Sequence, residues 1–239
     1  MLLQKRCAAV KFHDMSSHSE PLSTAAVDQL GERLRKGLTV DDLRSLDQYR
    51  REFRPEYDKV VAAVRDVLEL EPSGRPAKST SAILDKLKRS SMRLSQMQDI
   101  AGVRVIVADT LAQDAVVKQL MERFPSTTVD RREKPSHGYR AVHIVVRPAK
   151  RAIEIQVRTV LQQLWAEFSE KAADAFGLEV KYGGGHPAIR AELDQSSGLV
   201  AQFERLEPRR DELGGQLTAL RLDVETNLLK LLAVMKESS

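Results

Sequence analysis

The run DIAGVRVIV sets one acid, Asp99, directly ahead of an apolar stretch whose single charge is Arg104. A second run, EIQVRT, alternates Glu154, Gln156 and Arg158 with Ile155 and Val157, and at the two-residue period of a strand the three polar groups share a face. An acid, an amide and a guanidinium in one row beside a buried face are costly without partners. They are therefore either the wet side of an antiparallel sheet or a binding site. In YRAVHIVV the same alternation puts Tyr139 and His143 on one face and Arg140 with Val142 on the other, and a hydrogen-bonded surface pair is the plain alternative. Asp99 and Glu154 are the acids embedded in otherwise apolar or basic strand segments of this middle region. A magnesium ion takes one or two carboxylates and fills its other positions with water and phosphate oxygens. Two carboxylates from different strands among Arg and Lys thus suit a nucleotide polyphosphate, while simple ion pairing of the same charges stays open.

Ahead of Asp99, GRPAKSTSAILDKLKRS supplies Arg75 and Lys78 and then a helix carrying Lys86 and Arg89. Its Ser and Thr residues can cap that helix, whose N-terminus favours an anion. The Gly-x-x-x-x-Gly-Lys spacing of a Walker-type loop is missing, so phosphate would be held by side chains. Arginine also stacks on flat rings, which lets some of these groups sandwich a base. The dipeptide His13-Asp14 is shared with metal-dependent phosphohydrolases, but such sites need further His and Asp ligands, and only His18 lies nearby.

Charge is distributed unevenly over the 239 residues: residues 75–158 hold 17 Lys and Arg against 8 Asp and Glu, whereas both flanks carry an acidic surplus. The middle therefore expects an anionic partner, most economically phosphate. The start meets charge before any sufficient apolar run forms and no stretch approaches a membrane span, which reads as a soluble, cytoplasmic protein. The lone Cys7 makes no internal disulfide and has no metal-ligand spacing.

The elements that must position these groups follow from periodicity. Residues 1–22 read as a poorly ordered N-terminus. From Ser23 to Leu70 the pattern is helical, with a Thr39 cap, an interruption at Pro55, and an apolar stripe of Val60, Val61, Val64, Val67 and Leu68. EPSGRPAKSTS reads as a loop. A helix near Ser81–Ser90, a strand at Val103–Val107, a helix near Leu111–Phe124, a short strand at Thr127–Arg131 and strands at Tyr139–Arg147 and Ala152–Arg158 follow. The last two are close enough for an antiparallel hairpin turning near PAKR. This order suggests a sheet with helices packed on it. VLQQLWAEFSEKAADAF is a helix ending near Gly177, and a long helical region from Pro187 is broken at Pro208. Leu213, Leu217, Leu220, Val224 and Leu231 fit an a/d repeat, either a subunit contact or a helix packed on its own domain.

Taken together, GRPAKSTSAILDKL, DIAGVRVIV, GYRAVH, EIQVRT and the following LWAE, in that order over roughly Val60 to Tyr182, resemble the synthetase domain of the RelA/SpoT-type alarmone synthetase family, in its small stand-alone form without a hydrolase domain. The resemblance implies an α+β fold with a mixed sheet of about five strands, nucleotidyltransferase-like, flanked by helices. With the helical periodicity of the flanks, the chain divides into N-terminal helices at 23–74, the synthetase domain at 75–186 and C-terminal helices at 187–239, whose a/d repeat could assemble a homo-oligomer. It also implies magnesium-dependent transfer of pyrophosphate from ATP to the ribose 3′-hydroxyl of GDP or GTP. Asp99 and Glu154 would be the catalytic and metal residues. Arg75, Lys78, Lys86 and Arg104 would bind ATP, and Lys134, Tyr139, His143, Gln156 and Arg158 would serve the acceptor.

The chain departs from the family pattern in places. One extra residue separates Arg75 from Lys78, and another separates Lys134 from Gly138. Where many members carry His five residues after the Trp and then Tyr-Lys, Trp165 is followed here by Glu170-Lys171, with VKYGGG arriving later. These changes lie on the acceptor side. Two other readings therefore stay open: a toxin-like relative that pyrophosphorylates an adenine nucleotide or the 3′ end of tRNA, and an inactive nucleotide-sensing module.

Overall fold

Alternating valine and isoleucine build the centre of the molecule, where β2 (Ala101–Val107) and β5 (Ile153–Thr159) run parallel, Gly102 opposite Glu154 and Arg104 opposite Gln156. The computed structural model describes residues 20–237. Cys7, His13, Asp14, His18 and all but the last three residues of the 1–22 segment lie outside the described residues. Around the central pair the sheet completes as β1-β2-β5-β4-β3, with β1 (Ser73–Arg75), β3 (Ser126–Asp130) and β4 (Val142–Val146) joined antiparallel. It is a five-stranded mixed sheet flanked by helices, as the resemblance implied.

Two sequence expectations are corrected. Residues 73–75, read as loop, form an edge strand; Gly74 makes this possible, since a Cβ there would lie 2.4 Å from the Gly102 carbonyl oxygen. The strand expected from Tyr139 begins only at Val142, because Tyr139 closes a turn with its amide on the Ser136 carbonyl at 3.0 Å. The hairpin joining β4 to β5 is present, with Val146 opposite Ile153.

One face of the sheet is apolar. Ala101, Val103, Val105, Ile153, Ile155 and Val157 are fully buried there, joined in one core by Val60 and Val64 of α3 (Arg54–Leu68) and Val116 and Leu120 of α5 (Thr110–Arg123). Two further helices, α1 (Thr24–Lys36) and α2 (Val40–Arg51), extend this core, each capped by a hydroxyl, Ser23 or Thr39. α4 (Thr80–Arg89) follows β1 and is capped by Ser79.

A second core lies beyond the sheet. α6 (Val160–Phe176) starts at a capping box of Thr159 and Gln162 and stops at Gly177, whose φ of 102° suits glycine. Its Leu161, Trp165 and Phe168 pack with Leu193, Val200 and Phe203 of α7 (Pro187–Leu206). After a short α8 (Arg210–Leu213), α9 (Gly215–Glu237) adds Leu217, Val224, Leu228 and Leu232. Of the a/d residues, Leu217 and Val224 are buried in this core and Leu213, Leu220 and Leu231 are partly buried against it. Among the described residues no helix is long and apolar enough to cross a membrane.

Tyr49 is fully buried, edge-on to Phe53 with their ring centroids 5.1 Å apart and beneath the Arg151 guanidinium. Burial pushes its phenol up to about 12. A raised acid pKa means that the folded state holds the proton more tightly, so this contribution to stability is complete below about pH 10 and is lost as pH rises through 12. Urea midpoints measured between these limits are expected to fall with pH, and to fall less steeply in Tyr49→Phe.

Candidate active site

The opposite face of the sheet is polar, and its composition follows from the same alternation. Register places Arg75 beside Gly102, Arg104 beside Gln156, and His143 beside Gln156 on the other side. Residues side by side across strands point the same way, so Arg75, Arg104, Glu154, Gln156, Arg158 and His143 form one continuous surface. Asp99 lies two residues before β2, at the end of the sheet where β5 begins with Ile153 and Glu154.

Asp99 holds two lysines. Lys78 Nζ donates to Oδ2 and Lys86 Nζ to Oδ1, both at 2.7 Å. Burial pushes the Asp99 carboxyl up, but the two ammonium groups outweigh it and hold the group below the ordinary carboxylate range. α4 is what makes this double contact: its Ser79 cap starts the helix so that Lys86, in the last turn, faces back toward Asp99.

Glu154 anchors a chain of hydrogen bonds. Its Oε1 meets His143 Nδ1 at 2.9 Å and its Oε2 accepts from Gln156 Nε2 at 2.9 Å. Burial raises the Glu154 pKa and the Asp99 charge adds to this, yet His143 and Gln156 bring it below its usual value. An ionised carboxylate only accepts; His143 therefore carries its proton on Nδ1, leaving Nε2 to accept from the Tyr139 hydroxyl 2.9 Å away. Arg158 closes the network, donating to Tyr139 Oη and Gln156 Oε1 at 2.8 Å each and to Gln163 Oε1 at 2.9 Å. Its guanidinium also lies over the Tyr139 ring, 5.1 Å from the centroid. Burial raises the Tyr139 phenol, against the pull of Arg158.

The cations have unmet demands. Arg104 Nε and Arg158 Nε are buried with no hydrogen-bond partner. Burial, and then the like charge of Arg158, lower the Arg104 pKa. Two guanidinium groups that repel one another, each with an unsatisfied donor, suit an anion. The two carboxylates lie toward the same end of the sheet, where the Asp99 charge works against ionisation of Glu154, and each oxygen retains a second lone pair. Among the described residues no group of three or more His, Cys, Asp or Glu could hold a metal.

Of the residues singled out in the sequence, Lys78, Lys86 and Asp99 meet directly, as do Tyr139, His143, Glu154, Gln156 and Arg158. Arg75 is exposed on the edge strand, and Arg104 stands between the two groups on β2. Lys134 is exposed in the loop after β3 and joins neither set. Arg140, expected beside Val142 on a strand, instead reaches Glu204 on α7.

Other side chains at the site carry little signal in the sequence. A cavity of about 200 Å³ beside Tyr139 is lined by His137, Arg158, Trp165, Glu170, Lys181 and Tyr182, with Lys181 paired to Glu170. Arg89 lies over the Tyr182 ring at 4.7 Å, which links α4 to the loop after α6. The departure at Glu170-Lys171 and the late VKYGGG, which carries Lys181 and Tyr182, are the sequence features that point to this region beyond Tyr139 and Arg158.

Residues 74–175 match the family model described as a region found in RelA / SpoT proteins. An uncharacterized protein of Mycobacterium tuberculosis is 38% identical over 180 residues, covering 69% of this chain and 64% of that protein. GTP pyrophosphokinase YjbM of Bacillus subtilis is 28% identical over 180 residues, covering 66% of this chain and 81% of that one. The fold is shared with the crystal structure of small alarmone synthetase 1 from Bacillus subtilis bound to its product pppGpp, with a TM-score of 0.56 and 23% identity over 74% of this chain and 99% of the other. The chain thus spans about 64% of the length of the mycobacterial relative.

Proposed function

We propose, from the match of residues 74–175 to the region found in RelA / SpoT proteins, that the chain transfers pyrophosphate from ATP to the 3′-hydroxyl of GDP or GTP. The observation that carries this reading is the single polar sheet face, with Asp99 and its two lysines at one end and the Glu154–His143–Tyr139 chain beside Arg104 and Arg158. The likeness to a GTP pyrophosphokinase supports it.

In this reading Arg75 and Arg104 hold the donor, and Lys78 and Lys86 turn from Asp99 to the incoming phosphates. Tyr139 stacks on the acceptor base, with His143 and Lys134 toward its phosphates, while Gln156 and Arg158 fix the groups between. Asp99 and Glu154 would hold magnesium, which when bound neutralises the phosphate oxygens. Pyrophosphoryl transfer depends on alignment and charge neutralisation more than on covalent help. The acceptor 3′-oxygen bonds to the β-phosphorus of ATP, and the bond from that phosphorus to the α–β bridging oxygen breaks. AMP leaves with that oxygen, and the hydroxyl proton passes to a free lone pair of Glu154.

The test incubates the full chain with magnesium and γ-labelled ATP, adding GDP, GTP, deacylated tRNA or no acceptor. Label on the guanosine nucleotides is expected. Label only on tRNA or on adenine nucleotide selects the toxin-like alternative, and label on none selects the silent module.

A further inference from the structure

Tyr139 is held from outside the region that the family model matches. The residue before it, Gly138, offers its carbonyl to Ser197 Oγ at 2.7 Å. The residue after it, Arg140, donates Nε to Glu204 Oε2 at 2.8 Å, and a second guanidinium nitrogen reaches the same oxygen. Both partners are on α7, two turns apart and so on one helical face. Side-chain exposure is 12% for Arg140 and 7% for Glu204, and Gln162 of α6 donates to the other Glu204 oxygen at 2.7 Å. Gly138 adopts a φ of +84° and lies against Trp165, where a Cβ would come within 2.8 Å of the indole.

We infer that Ser197 and Glu204 are positioning residues for the acceptor, clamping the backbone on both sides of Tyr139. Neither touches the Tyr139–His143–Glu154 chain. They act by fixing the ring that begins it, since a side chain aligns a substrate only as well as its own backbone is held. The helix α7 is thereby part of the acceptor site, although it lies beyond residues 74–175. This rests on Tyr139 being the acceptor platform.

The test compares Ser197→Ala and Glu204→Gln with the unaltered full chain. Ser197→Ala removes one hydroxyl and keeps the helix, so it reports even where loss of the buried carboxylate unfolds the protein. Steady-state rates give KM for acceptor and for ATP, and equilibrium dialysis with labelled GDP measures binding without turnover. Acceptor KM and the GDP dissociation constant are expected to rise about tenfold or more, with KM for ATP unchanged. Unchanged acceptor KM in Ser197→Ala, or an equal loss toward ATP and GDP, would overturn the clamp. No GDP bound by the unaltered chain would overturn the reading of Tyr139 and the clamp with it.

Discussion

Replacing Glu154 with Gln is expected to lower kcat by about 10²- to 10⁴-fold, the usual range for loss of a positioned proton acceptor, while the chain stays folded. The fold survives because the network can reverse its direction. In Glu154→Gln the new amide would donate to His143 Nδ1, the ring would take its other tautomer, and Nε2 would donate to the Tyr139 hydroxyl, which still accepts from Arg158. His143, Gln156 and the Arg158 contact to Tyr139 thereby keep their partners, and the Tyr139 hydroxyl hydrogen is the one that must turn to another acceptor. What is lost is the anionic oxygen that receives the 3′-hydroxyl proton. The pH profile gives a second readout. Because Glu154 titrates below its ordinary value, the carboxylate stays ionised through the usual carboxylate range and loses its charge only as pH falls below it. The acid limb of kcat/KM is therefore expected below the usual carboxylate range, and Glu154→Gln should shift or erase it.

Asp99→Asn is expected to act differently. Asp99 neutralises Lys78 and Lys86, and its carboxylate shares the end of the sheet with Glu154. Asn leaves two ammonium groups, with side-chain exposures of 12% and 31%, without an anionic partner, at a cost on the order of 1–3 kcal/mol. The same lysines become free for phosphate. Without magnesium, ATP is thus expected to bind the variant at least as tightly as the unaltered chain, and to raise its melting temperature more. With magnesium the order reverses, since one carboxylate of the pair is gone, and kcat falls by about 10²- to 10³-fold. Calorimetric titration of ATP with and without magnesium separates the two effects. Weaker ATP binding in both conditions would assign Asp99 to the fold alone.

The two central strands were legible because β2 is a short run of Val and Ile interrupted by the single charge of Arg104 and β5 alternates Ile and Val with polar residues without a break, which put Glu154, Gln156 and Arg158 on one face. That β2 lies parallel to β5 was not legible, since pairing across β3 and β4 depends on sheet closure rather than local pattern. Register also hid the contact of His143 with Glu154, which requires the hairpin at Arg147–Ala152 to bring β4 and β5 into one alignment. The edge strand at Ser73–Arg75 escaped because Pro, Gly and Ser normally signal a loop; here Gly74 permits the close approach to Gly102. Tyr139 and Arg140 read as strand by alternation, but the turn at Ser136 and the pull of Glu204 override it. The a/d leucines of α9 have the same period whether their partner is another subunit or α6 and α7, so their packing against α6 and α7 was not legible from the pattern.

The most direct measurement follows both phosphates of the transferred group. The full chain, magnesium, GDP and ATP labelled at either the β- or the γ-phosphorus are incubated, and the nucleotides are separated. Both labels are expected to appear on the guanosine product in equal yield, with one AMP released per transfer. ADP release with γ-label alone on the acceptor would contradict pyrophosphate transfer, as would AMP formation with no labelled acceptor.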